Sequence, residues 1–262
     1  MSFNEQLTNY IVGIKIGEGS YATVRKGMNK LTNKEVAIKV YEKSKLINAQ
    51  RKLNVKKEIR ILKKVNHPNI VKFHEVVNTT NNLYLIMEFI KGKSLTSYIR
   101  DTPLRRLKES EAIRLFKQVL EAIKYCHDNM ISHRDIKADN VLVKNKGEVK
   151  LIDFGFSTLS KTNQLLDLFC GTPYYMPPEI TCRKEYIGTN TDIWSLGVLF
   201  YFMLSGNLPF DGKTDKDLFK CIARGHVLFP SYFSSMSKEF ILKMLQVDPN
   251  KRATAMEVFI LY

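Results

Sequence analysis

The feature that most limits how this chain can fold is His133-Arg134-Asp135-Ile136-Lys137-Ala138-Asp139-Asn140, followed by Asp153-Phe154-Gly155. Asp135, Asn140 and Asp153 are three oxygen-bearing side chains on two short loops. Between the loops, Val141-Leu142-Val143 and Val149-Lys150-Leu151-Ile152 read as two β-strands joined by a turn at Asn145-Lys146-Gly147. A hairpin of that length returns Asp153 to the neighbourhood of Asn140. Two hard oxygen ligands brought together in this way suit Mg²⁺, which binds few protein oxygens and otherwise keeps waters and phosphates. Asp135 is then left free to meet a substrate hydroxyl.

Upstream, Ile16-Gly17-Glu18-Gly19-Ser20-Tyr21-Ala22-Thr23-Val24 lies between strand-like segments at 10–16 and 23–27. Glycines let such a turn lie close over phosphates and offer them backbone N–H groups. Glu35-Val36-Ala37-Ile38-Lys39-Val40 alternates as a strand, with Lys39 in an apolar context. A helix is predicted over 51–64, with Leu53, Ile61 and Leu62, and Val65 just beyond, as its apolar residues and Glu58 among them. Two further strands, at 71–77 and 83–89, flank an Asn/Thr turn at 78–82. After Gly92 the chain reads mainly as helix. Residues 109–130 carry Ala112, Ile113, Leu115, Phe116, Val119, Leu120, Ile123 and Tyr125 on a long core-facing helix that leads into the loop at 133–140. The nearly apolar run 193–204 is too short to span a bilayer and reads as a buried helix, with Asp192 as a capping carboxylate at its start.

With 44% apolar and 26% charged residues in 262, the composition is that of an ordinary globular chain, long enough for a sizeable core. Cys126, Cys170, Cys182 and Cys221 form no CxxC pair and no metal-ligand spacing with the histidines, which reads as reduced thiols in the cytoplasm or nucleus. Residues 1–5 show neither the basic start nor the apolar run of a signal peptide. The net charge of +15 admits an acidic or nucleic-acid partner, and much of it sits between Lys43 and Lys64. A solvated helix face explains that run better than a docking patch, and no interleaved aromatics support base stacking. Neither nucleic acid nor a membrane is expected as a partner.

These motifs resemble those of eukaryotic protein kinases of the serine/threonine type. His133 to Asn140 matches the catalytic loop, Asp153-Phe154-Gly155 the magnesium loop, residues 16–24 the turn over the phosphates, and Val36-Ala37-Ile38-Lys39 the strand lysine. Cys170-Gly171-Thr172-Pro173, the stretch 192–199 and Leu245-Gln246-Val247-Asp248-Pro249 look most like the calcium/calmodulin-dependent and AMP-activated kinase group. The resemblance runs from about residue 10 to the end. It implies a single protein kinase domain over 1–262 with an α+β, bilobal fold. A small β-rich N-lobe with one major helix would extend to about residue 88, followed by a hinge at 88–92 and a larger, mainly helical C-lobe from about 93.

ATP and Mg²⁺ are the implied cofactors. Asp135 would serve as base or hydroxyl-orienting residue, Lys137 would neutralise charge on the γ-phosphate, and Asn140 and Asp153 would hold the metal. Lys39 would contact the α- and β-phosphates and pair with Glu58. Met87 would be the gatekeeper, with the backbone of Glu88 and Ile90 bonding adenine. Ile16, Gly17, Gly19, Val24, Ala37 and Leu142 would complete the nucleotide site. The resemblance further implies that Asp192 braces the catalytic loop, that Glu179 pairs with Arg252, and that Leu62, Phe73, His133 and Phe154 form a hydrophobic series.

The chain departs from the family pattern at four places. Ala22 stands at the third glycine position, Ser94 where an acidic residue often holds ribose, and Pro177-Pro178-Glu179 in place of Ala-Pro-Glu. Leu168 occupies the position of the threonine whose phosphate meets Arg134 in resembling kinases, with Ser157, Thr158, Ser160 and Thr162 as upstream substitutes. The expected function is transfer of the γ-phosphoryl group of MgATP to Ser/Thr hydroxyls of protein substrates, without need of phosphate at position 168 and with modest constitutive activity or control by a regulatory partner. The alternatives are a catalytically weak pseudokinase or scaffold, which would most simply lack Lys39, Asp135 or Asp153, and a nucleic-acid binder, which rests on charge alone.

Overall fold

Two-residue alternation builds the first part of the chain. The computed structural model describes residues 6–19, 21–161 and 163–260, so residues 1–5, Ser20 of the glycine-rich turn and Thr162 lie outside the described residues. Strands β1 (Tyr10–Glu18), β2 (Ala22–Asn29) and β3 (Glu35–Glu42) are followed by helix α1 (Ala49–Leu62) and strands β4 (Phe73–Asn78) and β5 (Asn82–Glu88). They form an antiparallel sheet in the order β1-β2-β3-β5-β4. On β3, Val36 and Ile38 point to one side and join Tyr10, Val77 and Ile86 in a core that Val40 and Tyr84 flank. The intervening residues, Ala37, Lys39 and Tyr41, therefore face the other side.

Helix α1 begins where the Asn48 side chain accepts from the Arg51 N–H at 2.8 Å, an N-cap that starts the helix two residues earlier than its apolar pattern indicates. Its buried face is Val55, Glu58, Ile61 and Leu62, while Leu53 is exposed. Leu53 had been read as part of the apolar face. Lysines around most of the helix circumference leave too weak a stripe to orient it from sequence.

The chain divides into two compact units, residues 1–91 and 92–262. The second opens with strand β6 (Gly92–Ser94), too short to show any alternation and so missed in a stretch read as helical. Helix α2 (Leu95–Arg100) follows, capped by Ser94, whose hydroxyl accepts from the Ser97 N–H at 3.2 Å. Helix α3 (Glu109–Asp128) buries Ala112, Leu115, Phe116, Val119, Leu120, Ala122, Ile123 and Cys126, whereas Ile113 and Tyr125 lie at its half-buried flanks. The chain then passes through β7 (Ile131–Ser132), β8 (Val141–Lys144), β9 (Val149–Leu151), β10 (Thr158–Leu159), β11 (Leu165–Leu166), α4 (Pro178–Thr181) and β12 (Tyr186–Ile187). Helices α5 (Gly188–Ser205), α6 (Asp215–Arg224), α7 (Ser235–Met244) and α8 (Ala255–Ile260) complete it.

The core of the second unit sits on α5, which is apolar on every side and buried for most of its length, as its sequence predicts. Phe116 of α3 lies 4.7 Å from Phe200 of α5, and Phe240 of α7 packs edge-on against both at 5.9 and 5.4 Å. Such ring pairs add about 0.5–1.5 kcal/mol each beyond the area they bury. Among the described residues no helix is long and apolar enough to cross a membrane.

Asp192 does not cap α5. The helix starts at Gly188, which puts Asp192 inside its second turn and wholly buried. A buried carboxylate needs partners of its own, and it finds them on the loop after β7.

Candidate active site

In the second unit the β8–β9 hairpin pairs Val141 with Leu151 and Val143 with Val149. Its turn is a short 3-10 segment at Asn145–Gly147, where Gly147 takes a φ of 73°. That backbone conformation suits glycine, and a Cβ there would run into the Arg114 guanidinium. The hairpin closes with the Ile152 N–H donating to the Asn140 carbonyl at 2.9 Å, which puts Asp153 one residue from that bond.

Asp135 is held by three side chains. Thr172 donates its hydroxyl to Oδ1 at 2.7 Å, while Oδ2 takes Lys137 Nζ at 2.9 Å and Asn140 Nδ2 at 3.0 Å. Lys137 also donates to Thr172 Oγ1 at 2.8 Å, and Asn140 Nδ2 to the Asp135 carbonyl at 2.8 Å. Each carboxylate oxygen has two lone pairs. With two donors on Oδ2 and one on Oδ1, room for an incoming hydroxyl is left on Oδ1. Thr172 therefore belongs to the same constellation as Asp135, Lys137 and Asn140, and nothing in its local sequence announces that bond.

Two residues of these loops adopt left-handed backbone: Arg134 with φ 65° and Asp153 with φ 60°. Such conformations cost about 1–3 kcal/mol for ordinary side chains and persist where the surroundings over-determine them. Asp192 supplies the restraint at Arg134. Its Oδ2 accepts from the His133 N–H at 2.8 Å and its Oδ1 from the Arg134 N–H at 2.7 Å, and His127 Nε2 bonds Oδ2 at 2.9 Å. The His133 ring meets Phe154 edge-on at 4.9 Å, fixing the first loop against the second. At Asp153, Oδ1 accepts from the Gly155 N–H at 3.2 Å.

In the first unit, register places the expected nucleotide residues. Lys39 sits opposite Val24 on β2 and Leu85 on β5, and Ala37 sits opposite Met87. Directly paired residues share a face, so Val24, Ala37, Lys39 and Met87 lie on one side of the sheet, and Gly17 joins them opposite Val24. Lys39 Nζ pairs with Glu58 Oε1 at 2.7 Å, both largely buried. Tyr41, two residues along the same face, donates its hydroxyl to Glu58 Oε2, and the Lys39 ammonium lies 5.5 Å from its ring centroid. Burial and the Glu58 carboxylate push the Tyr41 phenol well above its usual range, so it remains a donor. The period-2 pattern could have flagged Tyr41.

The remaining expected contacts are more dispersed. Ile16 is an exposed apolar residue at an irregularity in β1, and Leu142 is half-buried on β8. Ile90 lies buried just after β5. Glu88 faces away from Lys39; its carboxylate accepts from the Lys72 N–H at 2.7 Å and its own N–H donates to the Lys72 carbonyl at 2.9 Å. Ser94 is engaged as the cap of α2.

The residues fit a magnesium nucleotide. Among the described residues, a Cβ added at Gly17 would meet Val24 at 3.5 Å and one at Gly19 the Ala22 carbonyl at 3.6 Å, both ordinary contacts, and neither glycine needs a positive φ. Contacts among the described residues therefore do not demand glycine at either position. Among the described residues no group of three or more His, Cys, Asp or Glu could hold a metal alone. The oxygens that the family resemblance points to are those of Asn140, whose amide nitrogen donates to Asp135, and of Asp153, whose Oδ1 also accepts from the Gly155 N–H. That donor set suits an ion that takes most of its ligands from phosphates and water.

The chain belongs to the protein kinase family: residues 10–260 match the family described as "Protein kinase domain". It is 40% identical over 255 residues to "Serine/threonine protein kinase OSK3" from Oryza sativa, a match covering 97% of this chain and 50% of that protein. It is 39% identical over 252 residues to "SNF1-related protein kinase catalytic subunit alpha KIN12" from Arabidopsis thaliana. The chain spans about half the length of the curated relatives it matches.

Proposed function

We propose that the chain transfers the γ-phosphoryl group of MgATP to serine or threonine hydroxyls of protein substrates. The observation that carries this reading is the constellation of buried Asp135 and Asn140 with half-buried Lys137 and Thr172, in which one acceptor position on Asp135 Oδ1 is left for a hydroxyl. Phosphoryl transfer asks a protein mainly for positioning and charge neutralisation. Asp135 orients the acceptor hydroxyl and takes its proton, Lys137 supplies positive charge beside it, and Thr172 and Asn140 stop the carboxylate from rotating. Lys39, held by Glu58, offers an ammonium to the non-transferred phosphates. Asn140 and Asp153 would hold Mg²⁺, which when bound would offset negative charge on the transferred group.

The acceptor class follows from the serine/threonine kinases that the chain resembles. All four cysteines are free thiols, which supports a reducing compartment, cytoplasm or nucleus. Control by a regulatory partner is part of this reading.

The test is transfer of label from γ-labelled ATP to a serine-rich basic protein by the purified chain, with and without a chelator. Mg²⁺-dependent labelling on Ser or Thr is expected, with Asp153→Asn almost inactive. Labelling that survives chelation, or wild-type turnover in Asp153→Asn, would remove the metal role.

A further inference from the structure

Tyr186 is buried, and its hydroxyl joins three segments that are distant in sequence. It donates to the Leu168 carbonyl at 2.8 Å, accepts from Arg134 Nη1 at 3.1 Å, and lies 3.7 Å from Cys170 Sγ. Arg134 brings in a fourth segment, because its Nε donates to the Phe156 carbonyl at 2.7 Å. Burial drives the Tyr186 phenol well above its ordinary range, so the hydroxyl keeps its proton and remains a donor to Leu168.

Beside Leu168, Phe169 packs edge-on against Phe219 at 6.3 Å and lies 4.8 Å from the Arg183 guanidinium, but the backbone of the segment has few other restraints. Strand β11 pairs with β12 for two residues only, Leu165 with Ile187 and Leu166 with Tyr186. Beyond that ladder, among the described residues, no backbone–backbone hydrogen bond begins or ends at 167–171. Yet this segment delivers Thr172 to Asp135. It does so at close range: Gly171 adopts φ 111°, and a Cβ there would lie 3.1 Å from the Arg134 carbonyl.

We propose that Tyr186 is a positioning residue for phosphoryl transfer: its hydroxyl ties the 165–172 segment to Arg134 and so holds Thr172 on Asp135. The proposal rests on the reading of function above. The tie uses only groups present in the chain as synthesised, so the segment needs no covalent modification to hold this arrangement.

Tyr186→Phe tests it, because the ring keeps its packing against Met176 and Ile180 and only the hydroxyl is lost. The expected result is a kcat lowered about tenfold, an unchanged KM for ATP and faster proteolytic cleavage within 167–172. A residue that acts through Thr172 adds nothing once Thr172 is disabled. Tyr186→Phe combined with Thr172→Val should therefore be no slower than Thr172→Val alone. Wild-type kcat in Tyr186→Phe, or effects that multiply in the double variant, would overturn the proposal. If the wild-type chain transfers no phosphate, the reading of function fails, and the tie is then judged by proteolysis alone: cleavage within 167–172 no faster in Tyr186→Phe than in the wild type would refute it.

Discussion

Lys39 in the first unit and Asp135 in the second are both charged groups held largely out of water, and the chain fixes them by opposite means. Lys39 owes its place to sheet register: once β3 pairs with β2 and β5, its direction follows, and one glutamate completes its setting. Asp135 stands on irregular backbone beside a left-handed Arg134, and its surroundings are assembled from Thr172, Asn140, Lys137 and, through Arg134, Asp192. A register-set group should lose function in steps as partners are trimmed. A group set by a web of single long-range bonds should fail when any one anchor goes.

The largest effect should come from Asp135→Asn, which preserves shape but removes the acceptor of the proton and places an amide among three donors. Loss of a positioned base lowers rate by about 10²–10⁴-fold. We expect kcat to fall about a thousandfold in steady-state assays, with a far-ultraviolet circular dichroism spectrum like that of wild type. Turnover within tenfold of wild type would show that the web tolerates a missing centre.

Asp192→Ala tests the web from a distance. It leaves the His133 and Arg134 N–H groups buried without their acceptor, and each such group costs about 1–3 kcal/mol. A loss of about 3 kcal/mol in denaturant unfolding is expected, together with loss of turnover under conditions where the variant remains folded. Full turnover in the folded fraction would mean that the left-handed backbone at Arg134 is held by other contacts.

The same contrast explains what could be read from the sequence. Period-2 alternation around Lys39 exposes the strand and its two faces, so the setting of Lys39 among its strand neighbours was legible, whereas its pairing with Glu58 came from family resemblance and Tyr41 was not singled out. The hairpin between Asn140 and Asp153 was legible because a short turn and two apolar runs specify it locally. The bonds from Thr172 to Asp135, from Tyr186 to Leu168 and from Asp192 to the loop were not derivable from local pattern, because they join segments that no periodicity links. The brace at Asp192 and the Glu179–Arg252 pair, now bidentate at 2.7 and 3.0 Å, came from family resemblance. The upstream hydroxyls of Ser157 and Thr158 prove to be buried, Thr158 in β10 opposite Ser132, a fact of packing that polar residue type alone does not disclose.

Glu58→Gln should have a smaller effect than either loop variant. The amide oxygen can still accept from Lys39, but the opposing charge disappears, leaving a largely buried ammonium with a neutral partner. We expect KM for ATP to rise about tenfold with kcat lowered less than that. A thousandfold fall in kcat would show that the first unit, too, is an all-or-none assembly.

Tyr41→Phe should have the smallest effect, and it sharpens the comparison most because it removes one long-range bond from the register-set site. The variant keeps the ring beside the Lys39 ammonium and takes away only the hydroxyl donated to Glu58 Oε2. A buried hydrogen bond to a charged group contributes about 1.5–3 kcal/mol, part of which the Lys39–Glu58 contact retains by keeping the carboxylate neutralised. We therefore expect stability to fall by about 1.5 kcal/mol in denaturant titration, with turnover within threefold of wild type, because strand pairing still points Lys39 to the same place. If Tyr41→Phe lowered kcat as far as Tyr186→Phe does, a single phenol would govern each unit equally, and the distinction between a register-set and a web-set site would fail.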